Sequence, residues 1–184
     1  MHNKKYLSIE EHDRKKLNWK INEAFIKKHN AEFDRKFHTY KTSHNKYSDL
    51  NSKEFKSIKG LNANYNLKNN NNSRLDLNKV VGDDLPAEVD WRPLGYVNPI
   101  QDQGQCGCCY AFSACGPIEG QLFKNSGTLI KLSEQQILDC SDQYGNEGCN
   151  GGTMNNSFYY IQMNGGIETS DSYPYEGQVY IYIN

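Results

Sequence analysis

All six cysteines of this 184-residue chain lie in one stretch, between Cys106 and Cys149. Such a density is usual in chains that are stapled by disulfides in secreted or lysosomal compartments. The N-terminus, in contrast, is polar and has no apolar core of a signal peptide. These two features conflict, and the rest of the sequence has to decide between them.

Charge and hydropathy argue against two classes of partner. Lys plus Arg (21) nearly balances Asp plus Glu (22), which leaves a formal net charge of -1. No overall field therefore draws the chain to nucleic acid or to an acidic membrane. No apolar run approaches the ~18 residues that a membrane helix needs. We expect neither nucleic acid nor a membrane as a partner.

The first half of the chain predicts helices with a short strand between them. Residues 8–30 are charged and carry apolar residues spaced as on one face of a helix, namely Leu17, Ile21, Ala24 and Phe25. Asn51, with Glu54 three positions later, matches a capping box that opens a short helix, which Gly60 can end. Residues 37–42 are predicted to form a strand.

A domain boundary is expected near residue 80. Residues 62–78 are Asn-rich and have too few large apolar side chains to offset the entropy of ordering them. From Leu85 onward the charge density falls while Gly, Cys and Tyr become more frequent. This half predicts three short helices, over residues 109–124, after a capping box at residues 133–136, and over residues 154–163. Pro117 lies inside the first of them and predicts a kink, because it removes one helical hydrogen bond.

The segment Gln103-Gly-Gln-Cys-Gly-Cys-Cys109 carries the clearest chemical signal. A Gly-rich turn runs directly into a helix and places Cys109 at the helix N-terminus. Unpaired backbone N–H groups and the positive end of the helix dipole favour a thiolate there. Acyl transfer also needs donors for the developing oxyanion, and the Gln103 side-chain amide can serve beside the Cys109 backbone N–H. Cys109 is therefore the candidate nucleophile.

This segment resembles the active-site signature of papain and the cathepsins, Cys-Gly, then Ser or Ala, then Cys and an aromatic residue. Further segments resemble the first half of the mature enzyme, in order: Val89-Asp-Trp-Arg, Gly95-Tyr-Val, Leu132-Ser-Glu-Gln, Leu138-Asp-Cys140, Gly148-Cys-Asn-Gly-Gly152 and Tyr173-Pro-Tyr-Glu-Gly177. By this resemblance the chain is identified as a papain-like, cathepsin L-type cysteine protease precursor.

The resemblance implies roles for individual residues. Cys109 would attack the peptide carbonyl, Gln103 would help to form the oxyanion hole, and Cys106 would pair with Cys149. Three further residues would bind substrate: Gly151 and Gly152 by letting its backbone approach as an added strand, and Met154 by lining a pocket for an apolar side chain.

The N-terminal half resembles the inhibitory prosegment of the same family. The helix motif of that prosegment maps onto Glu11, Lys15, Trp19, Asn22, Ile26 and Asn30, with Lys for the usual Arg and Trp for the usual Phe. The motif that follows maps onto Ser43, Asn45, Tyr47 and Asp49, with Ser for Gly and Tyr for Phe. In the family the prosegment occupies the cleft in the reverse direction to substrate. We further expect Asp49 to be ion-paired with a lowered pKa, so that its contribution is lost on acidification and the prosegment is released.

The implied fold class is α+β: a helical prosegment plus the mainly α-helical left domain of the papain fold, with the β-rich right domain largely missing. The expected domains are a partial prosegment (residues 1–60), a linker or activation segment (residues 61–84) and the N-terminal part of the peptidase domain (residues 85–184). The expected partners are peptide or protein substrates and the chain's own prosegment as an intramolecular inhibitor. We expect a monomer, with no cofactor and no metal.

The general base of the family is a His that an Asn holds, and both lie far downstream of the nucleophile. All five histidines of this chain precede the linker. An unassisted thiol of pKa ~8.5 is only a few per cent thiolate at pH 7, and losing the base alone removes most of the rate advantage. We therefore expect a chain truncated at both ends and inactive alone. Its full-length parent would be lysosomal or extracellular, which resolves the conflict between the cysteines and the N-terminus.

Several alternatives stay open. The chain could instead be a pseudoprotease, or could inhibit related proteases through residues 8–60. A zinc module would need paired Cys-x-x-Cys spacings that the cluster does not supply. Cys108 is either a neutral small substitution or a disulfide partner that blocks Cys109. We expect Cys115 to be a packing residue of its helix. The cysteine with which Cys140 would form a disulfide in the family is absent from the sequence.

Overall fold

A computed structural model describes residues 4–61 and 86–180. They belong to two compact units, Met1–Ser57 and Ile58–Asn184, called unit 1 and unit 2 below. The predicted linker over residues 61–84 lies outside the described residues except for Leu61, and so does Leu85.

Unit 1 is built on one long helix, α1 (Ile9–Asp34), which continues beyond the predicted end at Asn30. Ser8 caps its N-terminus, because the Ser8 hydroxyl accepts the Glu11 N–H at 3.1 Å. The Glu11 carboxylate in turn accepts the Leu7 N–H at 2.8 Å. Such reciprocal bonds satisfy backbone donors that the first helical turn leaves unpaired.

The segment that follows α1, residues 35–50, returns along the helix, and the predicted strand over residues 37–42 is wrong. The segment forms no strand, because side chains of α1 bind its backbone instead. Asn30 accepts the Thr42 N–H at 2.9 Å and donates to the Thr42 carbonyl at 2.8 Å, while His29 Nε2 lies 3.0 Å from the Tyr40 carbonyl. The predicted apolar face of α1 does not take part, since Leu17, Ile21 and Phe25 are each more than half exposed.

A second helix of unit 1, α2 (Ser52–Ser57), follows this segment. The predicted capping box is confirmed: Asn51 Oδ1 accepts the Glu54 N–H and the Glu54 carboxylate accepts the Asn51 N–H, each at 2.9 Å. The helix ends before Gly60, which lies in unit 2.

Among its described residues, unit 2 contains three α-helices, α3 (Cys109–Ser126), α4 (Glu134–Cys140) and α5 (Met154–Met163). Two short 3-10 helices, Asp142–Tyr144 and Gly148–Asn150, lie between α4 and α5. The three α-helices pack on one another around a core whose buried members are Cys106, Cys108, Tyr110, Ala111, Ala114, Cys115, Leu132, Ile137, Leu138 and Tyr160. Cys115 is therefore a packing residue of α3, as expected.

Helix ends in unit 2 follow local chemistry. Gly127 ends α3 with a left-handed φ of 73°, and α3 runs across Pro117 as one helix. Ser133 caps α4 by accepting the Gln136 N–H at 3.0 Å. The other half of the predicted capping box is wrong, since Gln136 Oε1 accepts the Glu168 N–H at 2.7 Å while the Ser133 N–H binds the Glu168 carbonyl.

The described residues form no extended strand. They contain two isolated bridges, a parallel one between Leu61 and Gly152 and an antiparallel one between Leu132 and Thr169. No helix in residues 4–61 or 86–180 has the length and apolar character that crossing a membrane requires.

Candidate active site

Cys109 is the first residue of α3 and is half-buried. The turn before it is clamped to the segment that precedes α5. A disulfide joins Cys106 to Cys149, and the Gly107 N–H donates to the Cys149 carbonyl at 2.9 Å. This clamp fixes the direction in which the chain enters α3 and so the position of the Cys109 thiol at the helix N-terminus.

Gln103 lies on the same turn, with its side-chain amide pointing at two carbonyls. Its Nε2 donates to the Cys106 carbonyl at 2.8 Å and to the Ile58 carbonyl at 3.0 Å. The first bond holds the amide in place within the turn. The second directs an N–H at a carbonyl of the segment before the linker, which is the type of contact that an oxyanion donor makes.

Gly151 and Gly152 form the strand-like edge that precedes α5. The Gly152 N–H donates to the Gly60 carbonyl at 2.8 Å, and Leu61 forms a parallel bridge with Gly152. A Cβ on Gly152 would overlap Asn146 Oδ1, and a Cβ on Gly60 would overlap the Gly107 carbonyl. Glycine is thus required on both sides of this backbone contact. Residues 58–61 lie in unit 2, where Gly60 packs closely against Gly107 and accepts the bond from Gly152.

Met154 is the first residue of α5 and packs, half-buried, against the core. It therefore stands directly after the edge that binds residues 58–61.

Asn146 is a supporting residue that sequence reasoning missed. It is buried, its Oδ1 accepts the Thr153 N–H at 2.9 Å, and its amide donates to Ser141 Oγ at 2.8 Å and Ser157 Oγ at 3.3 Å. A buried amide with this many partners fixes the loop that carries Gly151 and Gly152. Only its place in a Gly-rich turn could have suggested it.

Four cysteines are free: Cys108, Cys109, Cys115 and Cys140. The alternative of a disulfide between Cys108 and Cys109 is not what the structure contains. The Cys108 thiol is fully buried and lies 2.9 Å from the Tyr175 hydroxyl. Burial raises the pKa of Cys108 to about 11, which keeps this thiol protonated and unreactive. Burial also raises the pKa values of Cys115 and Cys140.

In unit 1, the residues of the predicted helix motif lie along α1, and several of them bind the returning segment. Asn22 donates to the Ser48 carbonyl at 2.8 Å, and Trp19 stacks on His44 with ring centroids 4.2 Å apart. Asn30 binds both backbone groups of Thr42, as described above. Ile26 is half-buried on the same helix. The motif thus tethers the returning segment to α1.

Charges stabilise the same arrangement. The Glu54 carboxylate pairs with Arg14 and with Lys15, whose ammonium lies 3.0 Å away and is buried. Partial burial alone would raise the pKa of Glu54, but hydrogen bonds from Arg14, the Asn51 backbone and Lys15 outweigh it and lower the pKa to about 2. The short helix α2 is therefore tied to α1 by a carboxylate that stays ionised well into the acid range.

Asp49 is buried and pairs with Lys4, while the Tyr6 hydroxyl donates to it at 3.2 Å. Burial would raise its pKa, but the hydrogen bond and the charge of Lys4 leave the pKa below the ordinary value of 3.8. Two other residues of the second motif serve the same turn, since Asn45 Oδ1 accepts the Tyr47 N–H at 2.8 Å. Because the pKa is lowered, the contribution of Asp49 is present above about pH 4 and is lost only below it.

Within the part of the chain that the structure describes, no three or more His, Cys, Asp or Glu side chains are grouped as metal ligands.

Comparison with known proteins finds a matching family model for each of the two units. The family model for the papain family cysteine proteases matches residues 85–180, and the model for the cathepsin propeptide inhibitor domain (I29) matches residues 1–55. A cathepsin L-like peptidase of Aedes aegypti is 44% identical over 181 residues, which are 95% of this chain and 53% of that protein. Mouse procathepsin L is 41% identical over 177 residues, or 96% of this chain and 52% of the relative.

Among solved structures, the digestive procathepsin L2 proteinase from the Tenebrio molitor larval midgut superposes with a TM-score of 0.85 at 32% identity, covering 98% of this chain and 59% of that one. The recombinant stem bromelain precursor gives a TM-score of 0.79 at 28% identity, covering 98% and 55%. The chain thus spans about half the length of the curated relatives it matches.

Proposed function

This chain belongs to the papain family of cysteine proteases, in its cathepsin L type with a propeptide inhibitor domain, and we propose that it is the self-inhibited precursor form of an endopeptidase. In this proposal Cys109 is the nucleophile, Gln103 is an oxyanion donor, and residues 58–61 are the inhibitory segment in the cleft. The substrates are peptides, bound as an added strand against Gly152.

The observation that carries the proposal is the position of residues 58–61, which contact the turn that leads into Cys109. The Ile58 and Gly60 carbonyls accept hydrogen bonds from the Gln103 side chain and the Gly152 N–H, two groups proposed to bind substrate. The Leu61–Gly152 bridge is parallel. In the family the prosegment runs in the reverse direction to substrate, and we propose the same direction for residues 58–61. In that direction they occupy the hydrogen-bond donors of the cleft without presenting their own peptide bonds for attack, which supports an inhibitory role.

The proposed chemistry follows from the same groups. The Cys109 sulfur attacks the substrate carbonyl carbon, and the Gln103 amide stabilises the charge that develops on oxygen. Removing one such donor typically costs about 10²–10³ in rate. Residues 110–184 contain no His, so we propose that these 184 residues alone do not turn over peptide.

A substitution that adds a single methyl group tests whether residues 58–61 shield Cys109. In Gly60→Ala the new Cβ would overlap the Gly107 carbonyl, whereas a Cβ on Gly116 of α3 meets nothing within 4 Å. We expect iodoacetamide to alkylate Cys109 about tenfold faster in Gly60→Ala than in Gly116→Ala or the wild type, with the modified residue identified by peptide mass spectrometry. If both variants react at the wild-type rate, residues 58–61 do not shield Cys109.

A second function is supported by the separate compactness of unit 1 and its match to the inhibitor domain. In this proposal unit 1 inhibits related cathepsin L-type proteases in trans. The test is inhibition of such an enzyme by the purified chain, compared with the variant Asn30→Ala, which removes both bonds to the Thr42 backbone. Equal inhibition by the two proteins would count against the role of unit 1.

We also propose passage through the secretory route, to a lysosomal or extracellular destination. The disulfide between Cys106 and Cys149 supports an oxidising compartment.

A further inference from the structure

Cys108, Tyr175 and Gln103 are joined by a chain of hydrogen bonds beside the candidate nucleophile. The Tyr175 hydroxyl donates to the Gln103 carbonyl at 2.7 Å, and it lies 2.9 Å from the Cys108 sulfur. A carbonyl can only accept, so the tyrosine proton is committed to Gln103. The contact with Cys108 must then use the thiol proton, which is donated to the tyrosine oxygen. The two hydrogen bonds therefore point in one direction, from the Cys108 thiol to the Tyr175 hydroxyl and from that hydroxyl to the Gln103 carbonyl.

We propose that Tyr175 and Cys108 are positioning residues that anchor the backbone of Gln103 and thereby aim its side-chain amide at the oxyanion site. The proposal rests on the proposed function, because Gln103 matters only if Cys109 reacts with a carbonyl. Neither residue touches the reacting atoms in this account, and each acts through Gln103.

The turn needs such an anchor. Gln103 is followed by Gly104, which has a left-handed φ of 64° and offers little resistance to rotation. The disulfide between Cys106 and Cys149 holds the later part of the turn, and the bond from Nε2 to the Cys106 carbonyl holds the side chain of Gln103. Gln103 itself lies before Gly104, and neither contact holds its backbone. Tyr175 supplies a fixed point for that backbone, because its ring packs edge-on against Phe112 of α3 with centroids 5.0 Å apart. The hydroxyl therefore ties the turn at Gln103 to the helix that begins at Cys109.

This role differs from both readings of Cys108 that the sequence left open. A disulfide partner would have to leave the core, where Cys108 is 0% exposed. A neutral small residue would tolerate Ala. A hydrogen-bond donor tolerates Ser, which keeps an O–H at the same place, and does not tolerate Ala.

The test compares two tyrosines of one loop in the full chain. Tyr175→Phe removes the hydroxyl bound to Gln103, and Tyr173→Phe removes a hydroxyl that donates instead to Asp139 at 2.9 Å. Backbone hydrogen exchange is followed by mass spectrometry in a peptide that covers residues 103–108, with the disulfide reduced after quenching. Loss of one such hydrogen bond should speed exchange in this peptide about fivefold to tenfold in Tyr175→Phe and less than twofold in Tyr173→Phe.

Substitution of the thiol completes the test. Cys108→Ser should exchange like the wild type, and Cys108→Ala should move in the direction of Tyr175→Phe. With glutamine side chains labelled by ¹⁵N, the Gln103 amide protons should also exchange faster with water in Tyr175→Phe, a signal that general loosening of the loop in Tyr173→Phe would not reproduce.

Three outcomes overturn the proposal: no change in Tyr175→Phe, an equal change in Tyr173→Phe, or no difference between Cys108→Ser and Cys108→Ala. These readouts need no catalysis. If Gly60→Ala leaves Cys109 protected while exchange behaves as expected, the proposed inhibitory seat fails and the anchoring of Gln103 stands.

Discussion

Neutralising Glu54 should destabilise unit 1 by an amount that the structure allows one to work out. The carboxylate lowers its pKa from 4.5 to about 2 by binding Arg14, the Asn51 N–H and Lys15. At about 1.4 kcal/mol per pKa unit this difference corresponds to about 3 kcal/mol. Since 26% of the Glu54 side chain is exposed, solvent screening reduces the expected effect of Glu54→Gln to about 2 kcal/mol at pH 7. Part of that cost is the buried Lys15 ammonium left without its carboxylate.

The assay is urea unfolding of the full chain followed by the fluorescence of Trp19, which stacks on His44 inside unit 1. Trp91, in unit 2, is first replaced by Phe so that the signal reports unit 1 alone. For a unit this small the urea m-value is about 1 kcal/mol/M, so the midpoint should fall by about 2 M in Glu54→Gln. Asp13→Asn, at an exposed carboxylate of α1, is the matched control and should leave the midpoint in place.

The pH dependence gives an independent check. A lowered pKa means that the stabilisation is complete above about pH 4.5 and disappears as the pH falls toward 2. The midpoints of wild type and Glu54→Gln should therefore converge over that range. The reasoning is refuted if the two proteins unfold at the same urea concentration at pH 7, or if their difference is the same at pH 7 and pH 2.

Three further substitutions test other contacts. Asn30→Ala leaves both backbone groups of Thr42 without their partner. It should lower the free energy of unfolding of unit 1 by about 2 kcal/mol, measured by the urea midpoint of Trp19 fluorescence; an unchanged midpoint would mean that other contacts hold the returning segment. Asp49→Asn should destabilise unit 1 at pH 7, and its difference from the wild type should shrink as the pH falls below about 4, because the carboxylate has a lowered pKa; a difference that stays constant from pH 7 down to the acid limit of folding would contradict this. Tyr110→Phe leaves the Gly148 carbonyl without its buried donor and should cost about 1–2 kcal/mol in thermal unfolding of unit 2, and an unchanged melting temperature would disprove it.

The sequence predicted helices where local chemistry decides the outcome. The capping box at Asn51 and Glu54, the helix that begins at Cys109 and the helix over residues 154–163 all depend on contacts within a few residues, and all three are confirmed. The predicted strand over residues 37–42 failed because its outcome depends on long-range partners. Its β-forming residues have no strand beside them among residues 4–61 and 86–180, and Asn30 and His29 of α1 bind the backbone instead.

In the candidate site, too, the features that depend on local sequence could be predicted and the long-range contacts could not. A motif marks Cys109, Gln103, Gly151 and Gly152 because their chemistry requires particular residue types at fixed spacing. A motif also contains Tyr175, but it cannot reveal that the Tyr175 hydroxyl reaches Gln103 across 72 positions of sequence. Nor can it reveal the buried network of Asn146. A pairwise contact of that range becomes visible only when the chain is folded.

The central claim is that Cys109 occupies the position of a nucleophile in a chain that carries no His after it. The most direct measurement is labelling by an active-site-directed epoxide that reacts with full-length relatives, with the modified residue located by mass spectrometry. Without a general base, Cys109 is expected to be labelled slowly or not at all. Rapid, stoichiometric labelling of Cys109 in these 184 residues would contradict it.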